Sequence, residues 1–367
     1  MSLDLIQIRH ALHRIPEPAY REKSTKALLL EILGQWPALK IHEFKNSNGL
    51  LAEYSCGEGD YRLFRADMDA LPVTENTGCD FVSTRPGFMH ACGHDVHMTV
   101  LLSLIEAVCE RRIQRNLLFL FQPAEEGQGG AESVLAEKLI QSFPVRQAFA
   151  LHVASALPVA TVTSRAGIFF GIPQEFDVTF TGRSAHAAFP EQGVNGLAAA
   201  RQFLNLMDSC IARLAQTERV IFHVGKLQAG TVRNVVPDHC VLEGTQRTLS
   251  QCVRDQVNRL ILENCAKVAR NTGTQYSVEF LCTYDPVVND PALVQELQDV
   301  CRGLNLDYRE AEIALTGEDF GFFTTLYPGL LFWLGSGCEA PLHSDKFLPA
   351  DACIGVGVRI FTQLALN

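Results

Sequence analysis

Three short apolar runs, Tyr61-Arg62-Leu63-Phe64-Arg65, Leu117-Leu118-Phe119-Leu120-Phe121 and Ala148-Phe149-Ala150-Leu151, stand among segments of helical spacing such as Leu28, Leu29, Ile32 and Leu33. Runs this short and apolar read as strands buried on both faces. Their alternation with helices predicts an α/β fold with a mixed, largely parallel sheet flanked by helices. Chemistry-bearing residues follow at once: Asp67 and Asp69 after the first run, Glu125 and Glu126 after the second, His152 at the end of the third. Open α/β sheets place their sites at the carboxyl ends of strands. The pattern that restricts the fold therefore also marks where function is to be sought.

From about Pro173 the texture changes. Phe176, Val178 and Phe180 alternate with Asp177, Thr179 and Thr181, and a helix follows with Leu197, Leu204, Met207, Ile211 and Leu214 on one face. Two strands, 219–228 and 239–247, precede a helix bearing Val253, Val257, Leu260, Ile261 and Val268, and a strand near 275–281 closes the set. The order β-α-β-β-α-β is that of a ferredoxin-like unit. After Asp285-Pro286 the helix and strand alternation resumes. The expectation is a discontinuous first domain, 1–171 with 286–367, and an inserted α+β lid or dimerisation domain, 172–285.

At 367 residues two domains are the natural expectation, and a hydrophobic share of 47% supplies ample core. Lys and Arg number 31 against 41 Asp and Glu, a formal net charge of −10 with no long basic run. Nucleic acid and anionic membranes are poor partners for such a chain. The start, Met1-Ser2-Leu3-Asp4-Leu5-Ile6, lacks the pattern of a secretory signal, and no stretch approaches a membrane span. A cytoplasmic protein is expected. The twelve cysteines are scattered, several inside apolar periodic stretches, and read as small buried hydrophobes of a reducing compartment, with Cys92 the exception.

The run Met89-His90-Ala91-Cys92-Gly93-His94-Asp95-Val96-His97 and the later Gln122-Pro123-Ala124-Glu125-Glu126-Gly127 crowd thiol, imidazole and carboxylate groups into two turns. That mixture suits divalent metal. His152 and His343 sit in similar settings and complete a candidate dinuclear centre. In the glutamate pair, one carboxylate can ligate metal while its neighbour takes a proton from an attacking water. His90, Asp95 and His97 read as ligands or as partners that orient ligands. Asp67 and Asp69 either bind metal or hydrogen-bond a ligand histidine.

In the inserted domain, Gly182-Arg183-Ser184-Ala185-His186-Ala187-Ala188 leaves a histidine among small residues after a strand, suited to reach into a cleft and hydrogen-bond an oxyanion. Arg233, Asn234 and Arg247 are candidates to hold a substrate carboxylate.

These blocks, together with His13-Arg14-Ile15-Pro16-Glu17-Pro18 and Pro341-Leu342-His343-Ser344, resemble the dinuclear metallopeptidase family of aminoacylases, carboxypeptidases and peptidases. Within it they look like the amidohydrolase branch of hippurate hydrolases, auxin-conjugate hydrolases and N-acetyldiaminopimelate deacetylases. The resemblance implies metal ligands at Cys92, His94, Glu126, His152 and His343, a general base at Glu125, and Asp69 as the acid beside it. It further implies that His186 and Asn234 act from the lid, of the same or a partner subunit.

The expected cofactor is a pair of divalent ions, with zinc, manganese, cobalt and nickel all compatible with mixed S, N and O donors. The expected reaction is hydrolysis of a small N-acyl amino acid at its amide bond. Phe64-Arg65-Ala66-Asp67-Met68-Asp69, Met98 and the glutamate block look most like the N-acetyl-L,L-diaminopimelate deacetylases of lysine biosynthesis. Hippurate and other N-acyl amino acids are the alternative, and a carboxypeptidase or dipeptidase is a further one. Two rival chemistries follow from the same residues: Cys92 as a nucleophile with a histidine base, and a non-catalytic binder that keeps the fold.

Overall fold

The computed structural model describes residues 3–127 and 129–367. They form two compact units: Met1–Phe169 with Val287–Ile313 and Glu318–Asn367, and Phe170–Pro286 with Ala314–Gly317. Residues 314–317, which the sequence reading leaves in the flanking domain, group with the second unit.

In chain order the first unit contains α1 (Leu5–His13), α2 (Lys23–Leu33), β1 (Leu39–Glu43), β2 (Leu50–Tyr54), β3 (Tyr61–Asp67), α3 (His94–Arg111), β4 (Asn116–Gln122), α4 (Gly130–Ala136), β5 (Val145–Ala154), β6 (Thr161–Ser164) and β7 (Gly167–Phe170). The second unit supplies β8 (Ile172–Thr181), α5 (Gly196–Leu214), β9 (Ile221–Ala229), β10 (His239–Thr248), α6 (Gln251–Thr272) and β11 (Gln275–Thr283). The chain ends with β12 (Val287–Asn289), α7 (Pro291–Gly303), β13 (Asp307–Glu310), α8 (Gly321–Leu326), β14 (Gly329–Gly335) and α9 (Ala352–Leu366).

The large sheet runs β1-β2-β4-β3-β5-β14-β12-β7, with β6 and β13 off this path. Its centre is parallel, β4 to β3 to β5 to β14, and β2 and β1 extend it antiparallel. Helices cover the middle strands, so β3 and β4 are buried along their whole length, which is why β4 reads as a continuous apolar run and β3 as an apolar run broken by two arginines. Phe64 of β3 sits at the middle of this core, its ring 5.0 Å from Phe149 and 5.1 Å from Phe361. Two arginines of β3 share that burial. Arg62 reaches Glu296 at 3.1 Å and the carbonyl of Leu364, while Arg65 is drawn into the site described below.

The second unit is an antiparallel sheet of order β11-β8-β10-β9, the arrangement of a ferredoxin-like unit. Phe176, Val178 and Phe180 of β8 face the helices, and the intervening Asp177 and Thr179 do not. Asn195 caps α5 and Ser250 caps α6, each accepting a backbone N–H in the first turn. The buried face of α5 is Ala199, Ala200, Phe203, Met207 and Leu214. Met207 and Leu214 belong to the face expected from sequence, and Leu204 and Ile211 pack beside it, whereas Leu197 is exposed.

Candidate metal centre

The first unit gathers the centre from five places. β3 ends in Asp67 and leads to Asp69, β4 leads to Glu125 and Glu126, and β5 carries His152 near its end. Cys92 and His94 straddle the start of α3, and His343 comes from the loop before α9. Gly93 between them has φ +85°, and a Cβ there would lie 2.4 Å from the Val153 side chain, so only glycine permits this turn.

A chain of close approaches links the five donors. Cys92 Sγ is 3.3 Å from His152 Nε2 and 3.3 Å from His343 Nε2. His343 Nε2 is 3.4 Å from Glu126 Oε1, which is 3.9 Å from His94 Nε2. Glu125 offers a carboxylate oxygen within 4.8 Å of donors on His94 and Glu126.

Hydrogen bonding separates the histidines. His94 Nδ1 faces the backbone carbonyl of Asp69 at 2.9 Å, and its Nε2 is buried with no hydrogen-bond partner, poised as a donor to a cation. His152 likewise sets Nδ1 against the Val153 carbonyl at 2.8 Å and turns Nε2 toward Cys92. His97 lies in the same cluster, yet Val153 N–H donates to its Nε2 at 2.9 Å and Asp67 takes its Nδ1 at 2.6 Å. Both nitrogens are thus spent on the protein, and His97 orients Asp67. His90 is buried, with burial as the main force pushing its imidazole down to about 3. Asp95 faces the other way, 2.8 Å from His13 Nδ1 and 3.2 Å from Arg9 Nε, where it ties α1 to α3.

The two aspartates also part company. Asp67 accepts from Arg65 at 2.8 Å and from His97, with His94 Nε2 3.7 Å away. Asp69 spends its carboxylate on the glutamate turn: Oδ1 receives the N–H of Glu125 and Oδ2 that of Glu126, each at 3.0 Å.

Buried negative charge dominates the electrostatics. Asp67, Asp69, Glu125, Glu318 and Asp319 are buried, Glu126 nearly so, and Arg65 is the arginine among them. Burial, with the charges of Glu318, Glu126 and Asp319, pushes the Glu125 carboxyl well above the usual range. Burial and the carboxylates likewise push the Cys92 thiol well up. The His94 imidazole is held at about 10: burial disfavours its charge, but Asp67, Asp69 and Glu126 outweigh it. Such an excess of buried negative charge needs cations to balance it. The mixed S, N and O donors and the orphaned His94 Nε2 fit a pair of divalent ions.

Arg65, Gln122, Glu318 and Asp319 are not among the site residues predicted from the sequence. Arg65 Nη2 contacts Glu318 at 3.1 Å and Asp319 at 2.7 Å. An arginine inside an apolar strand was the available signal, since a buried guanidinium requires buried acids.

His186, Asn234 and Arg247 lie in the second unit. Ala187 N–H donates to the Asn234 carbonyl at 2.9 Å, which sets the His186 and Asn234 loops side by side, and His186 is exposed. Arg247 on β10 is partly buried and donates to Thr245 Oγ1 at 2.6 Å, whereas Arg233 is exposed.

Residues 63–367 match the profile of Peptidase family M20/M25/M40. The N-acetyldiaminopimelate deacetylase of Bacillus velezensis is 36% identical over 359 residues, covering 97% of this chain and 96% of that protein. The protein of that name from Bacillus subtilis is 35% identical over 362 residues, 98% of this chain and 97% of its own. A solved dinuclear metal-binding peptidase of family M20 from Bacillus subtilis is 28% identical with a TM-score of 0.85, covering 99% of this chain and 96% of that one. With a matching profile over most of its length and relatives of this identity from end to end, the chain belongs to Peptidase family M20/M25/M40.

Proposed function

We propose that the protein is an amidohydrolase that removes the acetyl group of N-acetyl-L,L-diaminopimelate, with Cys92, His94, Glu126, His152 and His343 holding its two divalent metal ions. The observation that carries the reading is the convergence of a thiol, three imidazole nitrogens and a carboxylate, with Glu125 beside them. The substrate rests on the N-acetyldiaminopimelate deacetylases similar over nearly the whole chain. Two divalent ions held by these residues would supply Lewis-acid polarisation of the acyl carbonyl and a water nucleophile near neutral pH.

The residues then have separate tasks. Glu125, its carboxyl raised by burial and the neighbouring acids, takes the proton of the attacking water and returns it to the leaving nitrogen. Asp69 positions the reaction by holding the N–H groups of Glu125 and Glu126. From the second unit, His186 donates a hydrogen bond to the oxyanion, and Asn234 and Arg247 bind the substrate's polar end.

The protein is proposed to work in the cytoplasm, and among the described residues no helix is long and apolar enough to cross a membrane. A homodimer through the second unit is supported by β9, an edge strand with Ile221 and Leu227 exposed. The deciding experiment is a hydrolysis panel at matched metal loading: N-acetyl-L,L-diaminopimelate, hippurate and acetylated neutral amino acids. A kcat/KM preference of about tenfold or more, some 1.4 kcal/mol, for the first is expected. A preference for hippurate or for neutral substrates would move the protein to the general N-acyl amino acid hydrolases.

A further inference from the structure

The segment from Gln122 to Ala131 carries both Glu125 and Glu126, and carboxylates from three distant parts of the chain hold it. Glu22 accepts the N–H of Ala124 at 3.0 Å, Asp69 accepts those of Glu125 and Glu126, and Asp319 accepts that of Ala131 at 2.8 Å. The turn needs such restraint. Ala124 has φ +57°, a left-handed conformation that costs a residue with a Cβ. Gly130 packs so tightly that a Cβ would lie 1.7 Å from the Pro123 carbonyl oxygen.

Asp319 reaches both ends of this segment. At the entry Gln122 Nε2 lies 2.8 Å from its Oδ2 and 3.0 Å from its Oδ1, and at the exit Ala131 N–H meets Oδ2. Arg65 donates to Oδ1 at 2.7 Å and, through Nε, to Gln122 Oε1 at 2.9 Å, which fixes the amide's orientation. Every one of these partners is a donor, and Asp319 is fully buried, so its two oxygens are committed to the span of the turn. Asp319 and Glu318 also offer carboxylate oxygens within 4.8 Å of one on Glu125. Arg65 supplies a positive charge among these acids.

We propose that Asp319 is a positioning residue for hydrolysis: by clamping Gln122 and Ala131 it fixes the span of the turn and thereby aims the Glu125 carboxyl. The inference rests on the reading of Glu125 as the base. A displacement of about 1 Å at a reacting group can cost roughly 100-fold in rate.

The test uses the full chain, with and without added zinc, and compares wild type, Asp319→Asn, Gln122→Met and Glu125→Gln. Hydrogen–deuterium exchange of peptides covering 122–131 is read together with kcat, KM and bound metal. In Asp319→Asn the new amide sets N–H against N–H donors. Exchange in that segment should rise about tenfold while kcat falls on the order of 100-fold, with KM within about twofold and two metals retained. Gln122→Met removes one end of the clamp and should move both readouts the same way by about tenfold, which decides the matter if Asp319→Asn does not fold. Unchanged exchange in the segment, unchanged kcat despite faster exchange, or a rate loss accounted for by lost metal would each overturn the proposal. Glu125→Gln should lose turnover with the segment still protected. If it stays active, the base assignment fails while the exchange data still report on the clamp.

Discussion

Cys92 Sγ and His343 Nε2 lie 3.3 Å apart, although 251 positions separate them in the chain. The same sulfur is 3.3 Å from His152 Nε2. One soft donor therefore lies close to two imidazoles, where it would join them in holding divalent metal.

Replacing that sulfur should be felt by the metal first. Cys92→Ala is expected to reduce bound zinc, measured by elemental analysis after gel filtration, from two per chain to one or fewer. Unaltered stoichiometry would remove Cys92 from the ligand set.

Glu125→Gln keeps volume and removes the group that accepts a proton. General base catalysis is worth about 100- to 10,000-fold, so kcat should fall by that order with both metals in place. Turnover near the wild-type rate would end the assignment of Glu125 as base.

His186 is exposed and contributes nothing to the core of the second unit. His186→Ala should therefore leave the melting temperature and metal content as they are. If the imidazole donates to the oxyanion, kcat falls about 100- to 1,000-fold. Steady-state kinetics beside a thermal melt separates these outcomes, and an unaffected kcat would exclude the role.

Stability should depend on pH through His13, remote in sequence from the metal donors. Burial opposes the charged imidazole, but Asp95 and Glu75 overcome it and hold His13 up at about 9. Its contribution is fully present below about 6.5, the unfolded value, and is lost as pH rises through about 9. Burial likewise opposes the charge of Glu75, but the hydrogen bonds from His13, Thr77 and Ser83 outweigh it and draw its carboxyl down to about 2. The Glu75 contribution is present above about 4.5 and is lost toward pH 2. The difference in unfolding free energy between wild type and His13→Gln, taken from urea titrations, should shrink between about pH 6.5 and 9. A constant difference across that window would contradict the pairing.

The sequence by itself determined the architecture and the neighbourhood of the site. The short, largely apolar runs of β3 and β4 declare strands buried on both faces, and the period-two pattern of Phe176, Val178 and Phe180 declares a sheet with one buried face. Because the carboxyl ends of parallel strands lie along one edge of such a sheet, Asp67, Glu125 and His152 fall at the same edge. Only the tertiary structure decided how each group is used. His94 and His97 share a helix face and a residue type. Yet β5 places Val153 N–H on His97, and the loop after β3 places the Asp69 carbonyl on His94 Nδ1, so one ring is spent and the other left with an open nitrogen. Asp319 and Arg65 become partners across 254 positions of the chain. Periodicity reports which side of an element is buried, a local property, whereas hydrogen-bond partners are set by the register and packing of segments far apart in the chain.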